Sequence, residues 1–146
     1  MELDELYREA ILEHARHPRN FGDLESCDRS AAAKNVSCGD SVRLFLRLSP
    51  EGKIEAIRFN GSGCAISTAS ASLLTLAVHG KTAEEARALF AKVQRLLTGA
   101  TTERDELPRD LAALAGVRRF PQRVGCAMLS WHALEDALRA GEKNSA

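Results

Sequence analysis

Apolar residues recur at helical spacing along the first turns of the chain: Leu3, Leu6, Tyr7, Ala10 and Ile11, with His14 continuing the stripe. That spacing predicts an amphipathic helix over residues 1–16, stopped by Pro18. His14 and His17 lie at its end, where contact with the helix's own last carbonyls is the expected role. His17-Pro18-Arg19-Asn20-Phe21-Gly22 reads as a turn. Further on the period changes to two. Val42, Leu44, Leu46 and Leu48 alternate with Arg43, Phe45 and Arg47, the pattern of a half-buried strand. Ser49-Pro50-Glu51-Gly52 supplies a turn, and Lys53 to Phe59 returns as the hairpin partner with imperfect alternation. Ala31-Ala32-Ala33-Lys34 is a candidate third strand of a small antiparallel sheet.

Between Phe59 and Val78 the chain carries no formal charge. Asn60, Ser62, Ser67, Thr68, Ser70, Ser72 and Thr75 interrupt this run too often for a membrane span. It reads instead as a strand, a sharp turn permitted by Gly61 and Gly63, and a buried helix ending near Gly80. Cys64 falls at or just before the first turn of that helix, where unpaired N–H groups favour a thiolate. Thr82-x-x-Glu85 is a capping box that opens a helix toward Leu97, stopped at Gly99. A polar connection from Ala100 to Arg109, a short helix from Leu111 to Ala115 and a last helix from about Cys126 to Gly141 follow. Residues 142–146 read as a frayed tail. Strands early in the chain and helices around them predict an α+β class in one domain over residues 1–146.

Composition changes this picture little. The 146 residues are 45% hydrophobic and 27% charged with a net charge of zero, so there is no electrostatic footprint for nucleic acid. An acidic amino terminus without an apolar core is not a secretory signal, which points to a cytoplasmic, reducing setting. There, four cysteines point to metal or sulfur chemistry before disulfides, and the Asn-x-Ser triplets at Asn35 and Asn60 are not glycosylation sites.

The candidate chemistry is a constellation. Cys38-Gly39-Asp40 precedes the hairpin, Cys64 follows it, and Cys126 opens the last helix. A hairpin returns its strands to one end, so Cys38 and Cys64 can approach, and Cys126 joins them if the last helix packs beside the Cys64 helix. Three thiolates and Asp40 suit a four-coordinate zinc site, or an iron–sulfur site with an oxygen ligand. With no Cys-x-x-Cys, spacing alone leaves open that these are small buried hydrophobes. Cys27 has no metal-like spacing and reads as a bystander. Gly61-Ser62-Gly63 lacks the further residues of a nucleotide loop, and no His stands at a triad-like spacing.

Cys38-Gly39-Asp40, Gly61-Ser62-Gly63-Cys64-Ala65-Ile66-Ser67 and Arg123-Val124-Gly125-Cys126-Ala127 resemble the three cysteine motifs of the IscU/NifU-type iron–sulfur cluster assembly scaffolds. His17-Pro18-Arg19-Asn20 matches that family too, and the resemblance spans about Leu3 to Gly141. It implies a compact α+β domain with a small antiparallel sheet against helices. It implies a protein that is not a stand-alone enzyme, accepting persulfide sulfur from a cysteine desulfurase and then building a [2Fe-2S] cluster or passing sulfur on.

Within the family the chain is most similar to the SufU-type branch. Sixty-one residues separate Cys64 from Cys126 (126 − 64 − 1), Leu97–Gly116 resembles that branch's insertion, Gly125 stands where shorter members have His, and Trp131 follows Cys126 by five. The resemblance then implies zinc on Cys38, Asp40, Cys64 and Cys126, with Arg123 close enough to pair with Asp40. Cys64 and Cys126 would be exposed for sulfur transfer when a histidine of a SufS-like desulfurase takes a metal position. Downstream cluster-assembly or acceptor proteins are the remaining implied partners, with no nucleic acid and no membrane. Gly125 leaves Cys126 without a shielding neighbour, so Cys126 is the expected main acceptor and Cys64 the second. Val36 departs from the proline usual in the family two residues before Cys38.

Overall fold

The computed structural model describes residues 3–100 and 107–144. The chain runs α1 (Leu3–Arg16), β1 (Arg29–Asn35), β2 (Asp40–Leu48), β3 (Ile54–Ser62), α2 (Ala65–Val78), α3 (Ala83–Leu97), α4 (Arg109–Ala112) and α5 (Val124–Asn144). Two 3-10 segments, Ala113–Arg119 and Pro121–Arg123, join α4 to α5. The antiparallel sheet has the order β1-β2-β3, so consecutive strands pair.

Alternation in β2 buries Asp40, Val42, Leu44 and Leu46 on one face. Leu44 pairs with Phe59 and Leu46 with Ile57, extending that apolar face across β3. The uneven spacing of β3 has a cause. Between Arg47 and Leu48 the register shifts, because Arg47 opposes Ala56 while Leu48 opposes Ile54. The extra residue is a bulge, and it returns Ile54 to the buried face with Ile57 and Phe59. β1 is weaker in apolar content, with alternating half-buried alanines at 31 and 33, yet it spans seven residues because β2 supplies a full ladder of partners.

Helix α5 lies across β1 and β2, α2 packs against α5, and α1 packs against α2. The α2–α5 contact has a polar pin within an apolar core. Ser70 Oγ donates to the Ala127 carbonyl at 2.6 Å and accepts from Trp131 Nε1 at 3.2 Å, all buried. Small residues on α2 let the two backbones approach closely enough for this bond. α3 opens with both halves of the expected capping box: Glu85 N–H donates to Thr82 Oγ1 at 3.2 Å and Thr82 N–H to Glu85 Oε1 at 3.0 Å.

Several expectations are corrected. The tail expected from residue 142 is helical through Asn144, and residues 145–146 lie outside the described residues. The polar connection includes 101–106, also outside them, as are the side chains of Leu3 and Leu6. The short helix starts earlier, at Arg109, and tightens into 3-10 turns from Ala113. Gly61 is not part of a turn but of β3, opposite Val42. Its φ of 144° and the closeness of the Ser41 carbonyl to where a Cβ would stand explain the glycine. His14 does not meet its own helix's carbonyls. Its Nδ1 bonds Ser72 Oγ on α2 at 2.7 Å, and burial foremost, then the Arg19 charge, lowers its pKa. The Arg19 N–H donates to the same hydroxyl at 2.8 Å and Asn20 Nδ2 to Thr75 Oγ1 at 3.0 Å, so His17-Pro18-Arg19-Asn20 is clamped along α2.

Candidate metal centre

Asn35 and Asp40 are the paired residues closing β1 against β2, and the four residues between them form the hairpin loop that carries Cys38. Inside the loop, Cys38 N–H donates to the Asn35 carbonyl at 3.2 Å and Gly39 N–H to the Val36 carbonyl at 3.3 Å. Asp40, as the first residue of β2, points into the buried face and is only 2% exposed. Its carboxylate does two things there. Oδ1 accepts the Cys64 N–H at 2.8 Å, satisfying a donor at the start of α2 that no side chain of that helix caps. Oδ2 lies 3.9 Å from Cys64 Sγ. Gly63 makes this approach possible, because a Cβ there would stand 2.5 Å from Asp40 Oδ1 and from Ser67 Oγ.

Cys126 enters as the third residue of α5, not its opening residue. Ligand atoms of Cys38, Asp40 and Cys126 lie within 4.8 Å of one another. Cys64 stands beside this trio through Asp40 but outside its mutual distances, so three of the four expected ligands are gathered and the fourth is adjacent. Cys27 belongs to no such group among the described residues.

Exposure divides the thiols. Cys38 and Cys64 are half-buried, whereas Cys126 is 0% exposed. Gly125 does not leave Cys126 open, because α5 packs on the sheet and on α2 and seals it. Burial pushes the Cys126 thiol well above its ordinary range, hydrogen bonds with Cys38 and Asp40 and the charge of Cys64 push the same way, and Arg123 opposes them. Helix-terminal position is thus outweighed by desolvation at this residue. Arg123, expected beside Asp40, stands within electrostatic reach of the Cys126, Cys64 and Cys38 thiols. The ion pairs among the described residues do not join it to Asp40. Its interaction with Cys126 foremost, then the charges of Cys64 and Cys38, raises the guanidinium pKa.

Two neighbours were not anticipated. Asn35 Nδ2 donates to Cys126 Sγ at 3.6 Å across 91 residues of sequence, a contact that strand spacing gives no means of reading. Tyr7, read as a core position of α1, is also close to the site. Its phenol pKa is raised by burial first and by the Cys64 charge, with Arg119 and Arg123 pulling it down.

A three-stranded meander backed by helices, with cysteines from a hairpin loop, a strand–helix turn and a second helix around one buried aspartate, defines an α+β protein with a candidate metal site. The sequence profile of the NifU-like N terminal domain matches residues 6–144, and the chain belongs to that family. It is 39% identical over 140 residues to the zinc-dependent sulfurtransferase SufU of Bacillus subtilis, covering 96% of this chain and 94% of that protein. It is 38% identical over 137 residues to the iron-sulfur cluster assembly scaffold protein IscU of Streptococcus pyogenes, covering 94% and 85%. Its structure is similar to that of FiSufU from Fervidobacterium islandicum, with a TM-score of 0.83 and 31% identity over 92% of this chain and 97% of that one. No helix among the described residues is long and apolar enough to cross a membrane.

Proposed function

We propose that this protein serves iron–sulfur cluster assembly in the cytoplasm, taking sulfur from a cysteine desulfurase of the SufS type at its cysteine–aspartate site. The observation that carries the reading is the convergence of Cys38, Asp40 and Cys126 within 4.8 Å, with Cys64 held to the same aspartate. Likeness to both a zinc-dependent sulfurtransferase and cluster scaffolds, over nearly the whole chain, supports it.

The donor set fits zinc: thiolate sulfurs with one carboxylate oxygen, close enough to converge on one centre and drawn from different elements. Cys38, Asp40 and Cys126 would hold it, with Cys64 as fourth ligand. Bound zinc keeps thiolates deprotonated at neutral pH and offsets their mutual repulsion. Asp40, the single hard donor among soft ones, keeps the metal exchangeable, so Asp40→Ala is expected to slow its loss to a chelator. A [2Fe-2S] cluster would be cargo on the same thiolates.

Sulfur transfer needs a thiolate that attacks the outer sulfur of the partner's persulfide. A new S–S bond forms, the old one breaks, and the partner cysteine leaves as thiolate. Cys64 and Cys126 are the proposed acceptors. In this conformation Cys64 is the reachable one, and Cys126 accepts sulfur only when the partner opens the site and Arg123 supplies the compensating charge. Mass spectrometry after turnover of a desulfurase with cysteine tests this: added sulfur on Cys64 or Cys126 is expected, and sulfur confined to Cys27 overturns it.

A further inference from the structure

We propose that Asn35 is a positioning residue that indexes the hairpin-loop ligand against the helix ligand and tunes the Cys126 sulfur through an N–H···S hydrogen bond. Its two ends contact two different parts of the site. The Asn35 carbonyl takes the Cys38 N–H at 3.2 Å, fixing the loop, while its side-chain amide reaches Cys126 Sγ at 3.6 Å. Pairing of Asn35 with Asp40 across the β1–β2 ladder locks the same residue to the third member of the trio. One residue is therefore registered to every group of the gathered set.

The space for this contact is fitted to it. A Cβ at Gly125 would stand 3.3 Å from Asn35 Nδ2, tighter than ordinary packing, so any larger residue at 125 presses on the amide. An amide donor aimed at a thiolate withdraws electron density from the sulfur and fixes its lone-pair direction, the role outer partners play around metal ligands. Asparagine suits the task because its amide donates without adding a charge to a site that already gathers two cysteines and a carboxylate, with a third cysteine beside them.

In this respect the inference deepens the metal-site reading, and its test has one arm that does not depend on metal. In metal-free protein, the Asn35 side-chain amide resonances are expected to shift and to exchange faster with solvent when Cys126 is changed to Ser. Resonances indifferent to that change overturn the contact. In cobalt(II)-loaded protein, Asn35→Ala and the uncharged, similarly sized non-donor Asn35→Leu are expected to shift the sulfur-to-metal charge-transfer absorption. Each should weaken cobalt binding about 10- to 100-fold. The metal-free melting temperature should stay near the parent value, and Asn35→Gln should recover part of the loss. Unchanged absorption and affinity, or a loss of affinity matched by unfolding of the metal-free variants, overturns the tuning role. A parent protein that takes up no cobalt refutes the metal-site reading instead, and the amide measurement then decides the contact by itself.

Discussion

Cys64 and Cys126 both lie at the amino-terminal end of a helix, yet their surroundings differ. Cys64 is the N-cap of α2, half-buried, its backbone held by Asp40. Cys126 is two residues inside α5, fully buried, and ringed by Cys38, Asp40, Asn35 and Arg123. A helix terminus contributes at most a modest electrostatic preference, and it acts only within the first turn. Desolvation of a thiolate is larger, and at Cys126 it dominates. Equivalent places on two helices therefore give one reachable sulfur and one sealed sulfur.

The strongest way to break this difference is to loosen α5. Trp131 is fully buried and bonded to Ser70, so Trp131→Ala should cost about 3–5 kcal/mol of unfolding free energy. Denaturant titration measures that cost, and alkylation of Cys126 should become comparable to that of Cys64 in the same variant. A Trp131→Ala protein as stable as the parent would show that the α2–α5 pin does not seal the site.

In the parent protein without metal, Cys64 should be alkylated faster than Cys126. A local opening of about 3 kcal/mol slows a buried thiol about 100-fold. Peptide mapping after timed exposure to iodoacetamide reads the ratio directly. Equal rates would mean that α5 does not protect its cysteine. The gap should narrow in alkaline buffer, because the burial-raised Cys126 thiol gains thiolate only there.

Asp40 is the hinge between the two surroundings. Asp40→Ala removes the acceptor for the Cys64 N–H and should cost about 1 kcal/mol in the metal-free protein, as helix caps do. Thermal unfolding of Asp40→Ala against Asp40→Asn checks it, since Asn retains an acceptor oxygen and should recover most of the loss.

The smallest expected effect lies where α1 meets the middle of α2, at the buried His14. Burial lowers its folded pKa below that of the unfolded chain, so the unfolded state binds the proton first as pH falls. Stability is unaffected above the unfolded value near 6.5 and declines as pH drops below it, toward the folded value. Melting temperatures between pH 7 and pH 5 should fall more in the parent than in His14→Gln. Parallel slopes would remove His14 from the acid response.

What the sequence by itself determined was local. The period-two run placed β2, Thr82 and Glu85 placed the start of α3, and the motifs around Cys38, Asp40, Cys64 and Cys126 marked candidate ligands, three of which the fold gathers. Each of these is carried by neighbours in the chain: side-chain period, a cap three residues long, a motif within one loop. Tertiary structure alone decided the rest. The bulge that returns Ile54 to the core depends on what opposes it across the sheet. The reach of β1 depends on a partner strand, since its alanines have little strand preference of their own. The burial of Cys126, the nearness of Arg123 to the thiols, and the arrival of Asn35 from 91 residues away depend on how α5 settles on the sheet. Packing fixes solvent access and long-range pairing, and neither quantity is a property of any stretch of sequence read alone.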